Sequence, residues 1–190
     1  MSIWKKVDKM NFVEPIRDIE IIQKIASNLK KQNERDYMMF CFGIYTGLRI
    51  SDILKFRVKD VKGKRGYNIR ETKTGKQKSY DWNPALKKEL DKYIETKDER
   101  EYLFPSRQGN KPITRQRAYQ ILKKACEVEG ISNIGTHTLR KTFGYHTYQN
   151  TKDLGLLMDM FNHASEIITM KYIGLTQEMG NKAIKKLKYF

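Results

Sequence analysis

The residues best suited to chemistry in this chain are His137 and Arg140, three positions apart, and His163, which is followed nine positions later by Tyr172. Residues spaced i and i+3 share a helical face, so His137 and Arg140 are expected to address one group together. Breaking a phosphodiester through a covalent intermediate takes three kinds of group. It needs a nucleophile, cationic donors aimed at the charge that develops on the phosphoryl oxygens, and side chains that accept and return protons. A tyrosine, arginines and histidines supply these three kinds, and neither metal nor cofactor is expected.

Charge points to the same class of substrate. Lys and Arg number 38 against 22 Asp and Glu, a formal net charge of +16, far beyond what solubility asks. A polyanion is the natural partner. Nucleic acid and an acidic membrane surface would both satisfy the charge, but no apolar run approaches the roughly 18 residues of a spanning helix and no amino-terminal signal pattern is present. Duplex DNA is preferred, with no membrane association. Cys41 and Cys126 lie far apart, which argues against a disulfide scaffold or zinc cluster and for a reducing, intracellular setting.

The elements that must position these groups are mainly helical, with no internal repeat and no low-complexity linker. Ile21, Ile22, Ile25, Ala26 and Leu29 mark one face of a first helix. Residues 37–45 are apolar all round, which predicts a helix at the centre of the core ending near Gly47. Lys55 to Lys78 carries ten basic residues against Asp60 and Glu71, with glycines at 63, 66 and 75, and reads as a small basic sheet or hairpin pair. Asn83-Pro84 caps a helix with the apolar face Leu86, Leu90, Tyr93 and Ile94. Thr114 caps another bearing Ala118, Ile121, Leu122 and Ala125. The span from Arg107 to Lys124 has six basic residues and no acid, a DNA-binding face. Further helices are expected near 137–149, 153–161 and 165–172, with a last amphipathic one at 177–187. The fold class is mixed α+β, mainly α, with a small antiparallel β-sheet.

Taken together the chain resembles the tyrosine recombinases and phage integrases, in which an early Arg, a hairpin Lys, a His-x-x-Arg, a later His or Trp, and a Tyr follow in that order. Thr46-Gly47-Leu48-Arg49-Ile50-Ser51-Asp52 resembles the first-arginine motif, Thr72-Lys73-Thr74-Gly75-Lys76 the hairpin-lysine motif, and His137-Thr138-Leu139-Arg140 the third; Asn162-His163 through Tyr172 completes the set. Any one of these is a weak signal, and five in order are a strong one. The resemblance implies site-specific DNA recombination by strand cleavage, exchange and religation through a four-way junction. It makes Tyr172 the nucleophile of a 3′-phosphotyrosyl bond, Arg49 and Arg140 the clamp on the non-bridging oxygens, and His137 the acceptor of the tyrosine proton. Lys73 would protonate the leaving 5′-oxygen, and His163 would hydrogen-bond the phosphate. It also implies a homotetramer on DNA, free monomers, and a carboxy-terminal helix exchanged between protomers in a bacterial or phage-infected cell. Lys76, Lys78, Arg107, Lys111, Arg115, Arg117 and Lys141 are the expected DNA-binding residues.

Two departures accompany the resemblance. Asn162 stands where the family commonly has glycine. The expected layout is a short polar lead over 1–13 and a catalytic domain over 14–190, without the amino-terminal helical domain that closes a clamp around DNA in most relatives; an excised domain and a natural minimal recombinase both fit. Blander readings stay open residue by residue. Arg49 can cap its helix or pair with Asp52, Lys76 and Lys78 compete with Lys73, and His137 and His163 can be packing groups, as His146 is expected to be. Tyr172 competes with ten other tyrosines. For function the alternatives are a type IB topoisomerase-like relaxation of DNA and a non-catalytic DNA-binding regulator derived from a recombinase.

Overall fold

The computed structural model of the protein describes residues 13–70, 75 and 77–188. Helix α1 spans Ile19–Gln32, opened by the Asp18 side chain accepting from the Glu20 amide and burying Ile25 and Leu29. Asn33 is extended and caps α2, Glu34–Thr46, through the Asp36 amide. Met38, Met39, Phe40 and Phe42 are all buried, so α2 is the central helix that its all-round apolarity predicts. It stops at Gly47, whose φ of 61° is a left-handed C-cap that glycine adopts without strain.

After α2 the chain makes a short helix α3, Ile50–Ile53, and a 3-10 turn over Val58–Asp60. One antiparallel hairpin follows, β1 Gly66–Arg70 and β2 Gln77–Asp81, in register from Gly66 opposite Asp81 to Arg70 opposite Gln77. The basic stretch from Lys55 therefore holds one hairpin among the described residues and not a pair. Its first part is turned into the 3-10 segment, where the Asp60 carboxylate accepts from the Arg57 amide at 2.8 Å. An aromatic stack fastens the hairpin to the core: Tyr67 lies 4.5 Å from Trp82, and Trp82 lies 5.6 Å from Phe42. Aromatic contacts of this kind add to the plain burial of the rings.

The remaining helices are α4, Pro84–Ile94; α5, Arg115–Glu127; α6, Thr138–Thr151; α7, Leu154–Phe161; α8, Glu166–Tyr172; and α9, Leu175–Lys185. Side-chain caps predicted from sequence form at Asn83 and Thr114. The final helix begins at Leu175, earlier than the amphipathic pattern suggests. Among the described residues no helix is long and apolar enough to cross a membrane.

Two apolar clusters make up the interior. The larger packs α1–α5 around α2 and takes in Leu139 from the start of α6; the smaller holds Tyr145, Leu157, Phe161, Ile173 and Leu175. Helix α6 passes from one to the other. Its close approach to α2 depends on Gly43, where an added Cβ would sit 2.3 Å from Leu139 Cδ1. The turn after α2, the start of α6 and the ends of α7 and α8 consequently meet at the seam between the clusters.

Candidate active site

His137 is the N-cap residue of α6, so it stands just ahead of the helix on which Arg140 lies. The two still converge. His137 Nδ1 is 3.2 Å from the Tyr172 hydroxyl, and the two rings meet edge to face at 86°. Arg140 is almost fully buried, at 4% exposure. Its guanidinium donates to the Gly47 carbonyl at 2.7 Å and the Phe161 carbonyl at 3.3 Å, and lies 4.3 Å over the Phe161 ring. One planar fork thereby ties the turn that carries Arg49 to the end of α7 that carries His163.

Tyr172, at the end of α8, packs edge-on against His163 at 5.0 Å and Phe161 at 5.4 Å. Gly144 on α6 makes room for this arrangement, because a Cβ there would lie 2.7 Å from both Phe161 and Ile173. Asn162, the C-cap of α7, has a φ of 54°. That left-handed conformation is the physical reason glycine suits this place, and asparagine is among the few other residues that adopt it readily.

The electrostatics set the resting protonation states of Tyr172 and His137. Burial pushes the Tyr172 phenol above its ordinary value of 10.0, while the charges of Arg140 and Arg49 pull the other way. Desolvation first, then the charges of Arg140 and Arg49, hold both His137 and His163 below the usual 6.5. His137 also feels Lys141 and Arg115. At neutral pH the site is thus poised with a protonated phenol beside a neutral imidazole. The charges of Arg49 and Arg140 thus act on all three of His137, His163 and Tyr172.

Lys73 and Lys76 lie outside the described residues. Of the other expected DNA contacts, Arg107, Lys111, Arg115 and Arg117 are exposed, on α5 and the loop before it. Two are not surface groups. The Lys78 side chain is 9% exposed; its ammonium donates to the Asp159 carbonyl and sits 3.7 Å from the Asp159 carboxylate, joining the hairpin to α7. Lys141 is 8% exposed; it donates to the Val13 carbonyl at 2.8 Å and lies 5.2 Å from the centre of the Tyr172 ring. Both lysines turn inward because each finds carbonyl partners at the seam, something a count of basic residues does not reveal. His146 is structural as expected, its Nε2 donating to the Ile16 carbonyl at 3.0 Å.

Sequence reasoning missed several groups that organise the site. The segment 13–17 straps across α6: the Ile16 amide donates to Thr142 at 2.9 Å, and Arg17 joins Glu14 at 2.6 Å and the Gly174 carbonyl at 3.3 Å. Thr169 is fully buried, with its hydroxyl 3.1 Å from His163 Nδ1. Its signal was present in the spacing, since Thr169 precedes Tyr172 by one helical turn.

Residues 17–179 match the model of the phage integrase family. Over 176 residues the chain is 47% identical to the probable integrase/recombinase YoeC of Bacillus subtilis, covering 93% of this chain and 97% of that protein. Among solved structures it resembles the XerH site-specific recombinase bound to its difH substrate in a pre-cleavage complex, with a TM-score of 0.68, 20% identity and coverage of 84% of this chain. It also resembles a lambda integrase tetramer bound to a Holliday junction, with a TM-score of 0.66, 16% identity and coverage of 84% of this chain. The chain spans about half the length of those two proteins, 50% and 48%. With its fold and its ordered motifs in agreement with these matches, the chain belongs to the phage integrase family and is a tyrosine site-specific recombinase.

Proposed function

We propose that this chain cuts and rejoins duplex DNA through a covalent bond between Tyr172 and a backbone phosphorus, as the chemical step of site-specific recombination. The observation that carries the reading is the 3.2 Å contact between the Tyr172 hydroxyl and His137 Nδ1, beside a buried arginine fork. Tyr172 Oη attacks phosphorus while His137 Nδ1 takes the phenolic proton. The bond from phosphorus to the 5′-oxygen breaks, leaving a 3′-phosphotyrosyl link and a 5′-hydroxyl. Lys73, by its place in the hairpin-lysine motif, protonates that departing oxygen. Arg49 and Arg140 face the non-bridging oxygens, a task for planar guanidinium groups that stay charged at every working pH, and His163 hydrogen-bonds the same phosphate. The reverse attack by a 5′-hydroxyl of the exchanged strand rejoins DNA and frees the tyrosine.

Arg107, Lys111, Arg115 and Arg117 are proposed to contact the DNA backbone, together with Lys76. We further propose a homotetramer on DNA in which α9 of one protomer docks on the next. Exposed Ile167 and Ile168 on α8 and Met179 and Ile184 on α9 support that arrangement, since clustered exposed apolar side chains seek a cover.

The test is a nicked suicide substrate carrying the target site, with inverted repeats in the neighbouring genome as the first sites to try. The wild type is expected to form a covalent protein–DNA complex on it and recombinant product from intact sites, and Tyr172→Phe to form neither. A trapped complex with the phenylalanine variant would overturn the role of Tyr172. On an intact supercoiled plasmid, relaxation without recombinants would turn the reading toward topoisomerase activity.

A further inference from the structure

We propose that Thr169 is a positioning residue that fixes His163 with its proton on Nδ1, so that His163 donates to a phosphate oxygen only after taking up a second proton at Nε2. The proposal rests on the assignment of Tyr172 and the histidines and arginines around it as a phosphate site. Its basis is the direction of two hydrogen bonds. The Thr169 hydroxyl lies 3.2 Å from the Ser165 carbonyl and 3.1 Å from His163 Nδ1. The Ser165 carbonyl can only accept, and although the Thr169 amide also donates to it at 3.2 Å, the single hydroxyl hydrogen is assigned to it as part of this proposal. The contact with the imidazole must then run the other way, Nδ1–H donating to Oγ1. Thr169 has no exposure to solvent, so no water competes for either bond. In a neutral ring the remaining nitrogen, Nε2, is therefore a bare acceptor.

A bare acceptor repels a phosphate oxygen. The groups facing His163 settle when that changes. Arg140 from α6 and Arg49 from the turn before α3 lower its proton affinity, and burial lowers it further. Tyr172 of α8 and Phe161 of α7 close the ring's other sides at 5.0 and 5.4 Å. A phosphate seated between the two arginines offsets their charge and offers an acceptor to Nε2–H, which together favour the imidazolium. DNA engagement by this site is thus linked to uptake of one proton at His163. Free protein keeps that group uncharged, and the second imidazole, His137, stays neutral to act as base.

Cleavage should then have two limbs in pH. The acid limb belongs to His137, which must be neutral, and the alkaline limb to His163, which must be protonated; on each the single-turnover rate changes by about tenfold per pH unit. Thr169→Val removes the acceptor for Nδ1–H, freeing the neutral ring to carry its proton on Nε2 and donate without uptake. The valine variant is expected to lose the alkaline limb while keeping the acid one, and Thr169→Ser to restore the wild-type profile. A valine variant with an intact alkaline limb would overturn the proposal. A second measurement needs no DNA and no variant: 15N chemical shifts of the His163 ring in the free wild-type protein above pH 7. An Nδ1–H pattern is expected, and an Nε2–H pattern overturns the assignment even if the valine variant fails to fold. Failure of the wild type to form any covalent complex would count against Tyr172 as nucleophile, and the ring shifts would still decide the role of Thr169.

Discussion

Replacing Arg140 by lysine keeps the charge and discards the fork, which makes it the sharpest probe of how this site is held. The guanidinium spans two carbonyls on separate elements, Gly47 at 2.7 Å and Phe161 at 3.3 Å, while stacking over the Phe161 ring. An ammonium on a single stem cannot hold both carbonyls and also face a phosphate. Losing one charge-assisted bond from a side chain 4% exposed costs about 1.5–3 kcal/mol. For a domain of this size each kcal/mol lowers the melting temperature by about 2–4 °C. A fall of roughly 3–12 °C is expected, followed by near-ultraviolet circular dichroism. Activity should suffer more. Loss of one preorganised donor costs on the order of a hundred- to a thousandfold in rate, read as single-turnover trapping on a suicide substrate well below the melting point of the variant. If Arg140→Lys melted within a degree of the wild type and trapped DNA within threefold of it, the fork would be neither the tie nor the clamp argued for it.

Three further outcomes are expected. His137 and His163 sit below the ordinary 6.5 in the folded protein, so on acidification the unfolded chain binds protons first; their contribution to stability is complete above about 6.5 and is lost as pH falls below it. Urea midpoints should drop in that window and drop less in His163→Asn, whereas midpoints that rise on acidification refute the assignment. Gly144→Ala drives a methyl to within 2.7 Å of Phe161 and Ile173, an overpacking worth about 1–3 kcal/mol; chemical denaturation should show that loss, with cleavage impaired further because Phe161 lines Tyr172. Asn162→Gly should leave stability nearly unchanged, while Asn162→Val, forced to a φ of 54°, should lose about 1–2 kcal/mol, and equal midpoints for the two would refute the left-handed cap.

Much of this molecule is written in local pattern. Caps at Asn83 and Thr114, the all-round apolar α2 with its glycine stop, and the order of Arg49, His137, Arg140, His163 and Tyr172 are legible because each depends on residues close in sequence or on a fixed order of types. The family follows from that order. Tertiary structure decided what depends on distant neighbours. Lys78 and Lys141 look like surface cations in the sequence, and only the packing of β2 against α7 and of α6 against the segment 13–17 turns them inward. His137 becomes a partner of Tyr172, and Thr169 a partner of His163, because α6, α7 and α8 close on one another at the seam between two apolar clusters. Spacing along a chain fixes which side chains share a face, but the direction of a hydrogen bond between faces exists only once the helices are packed.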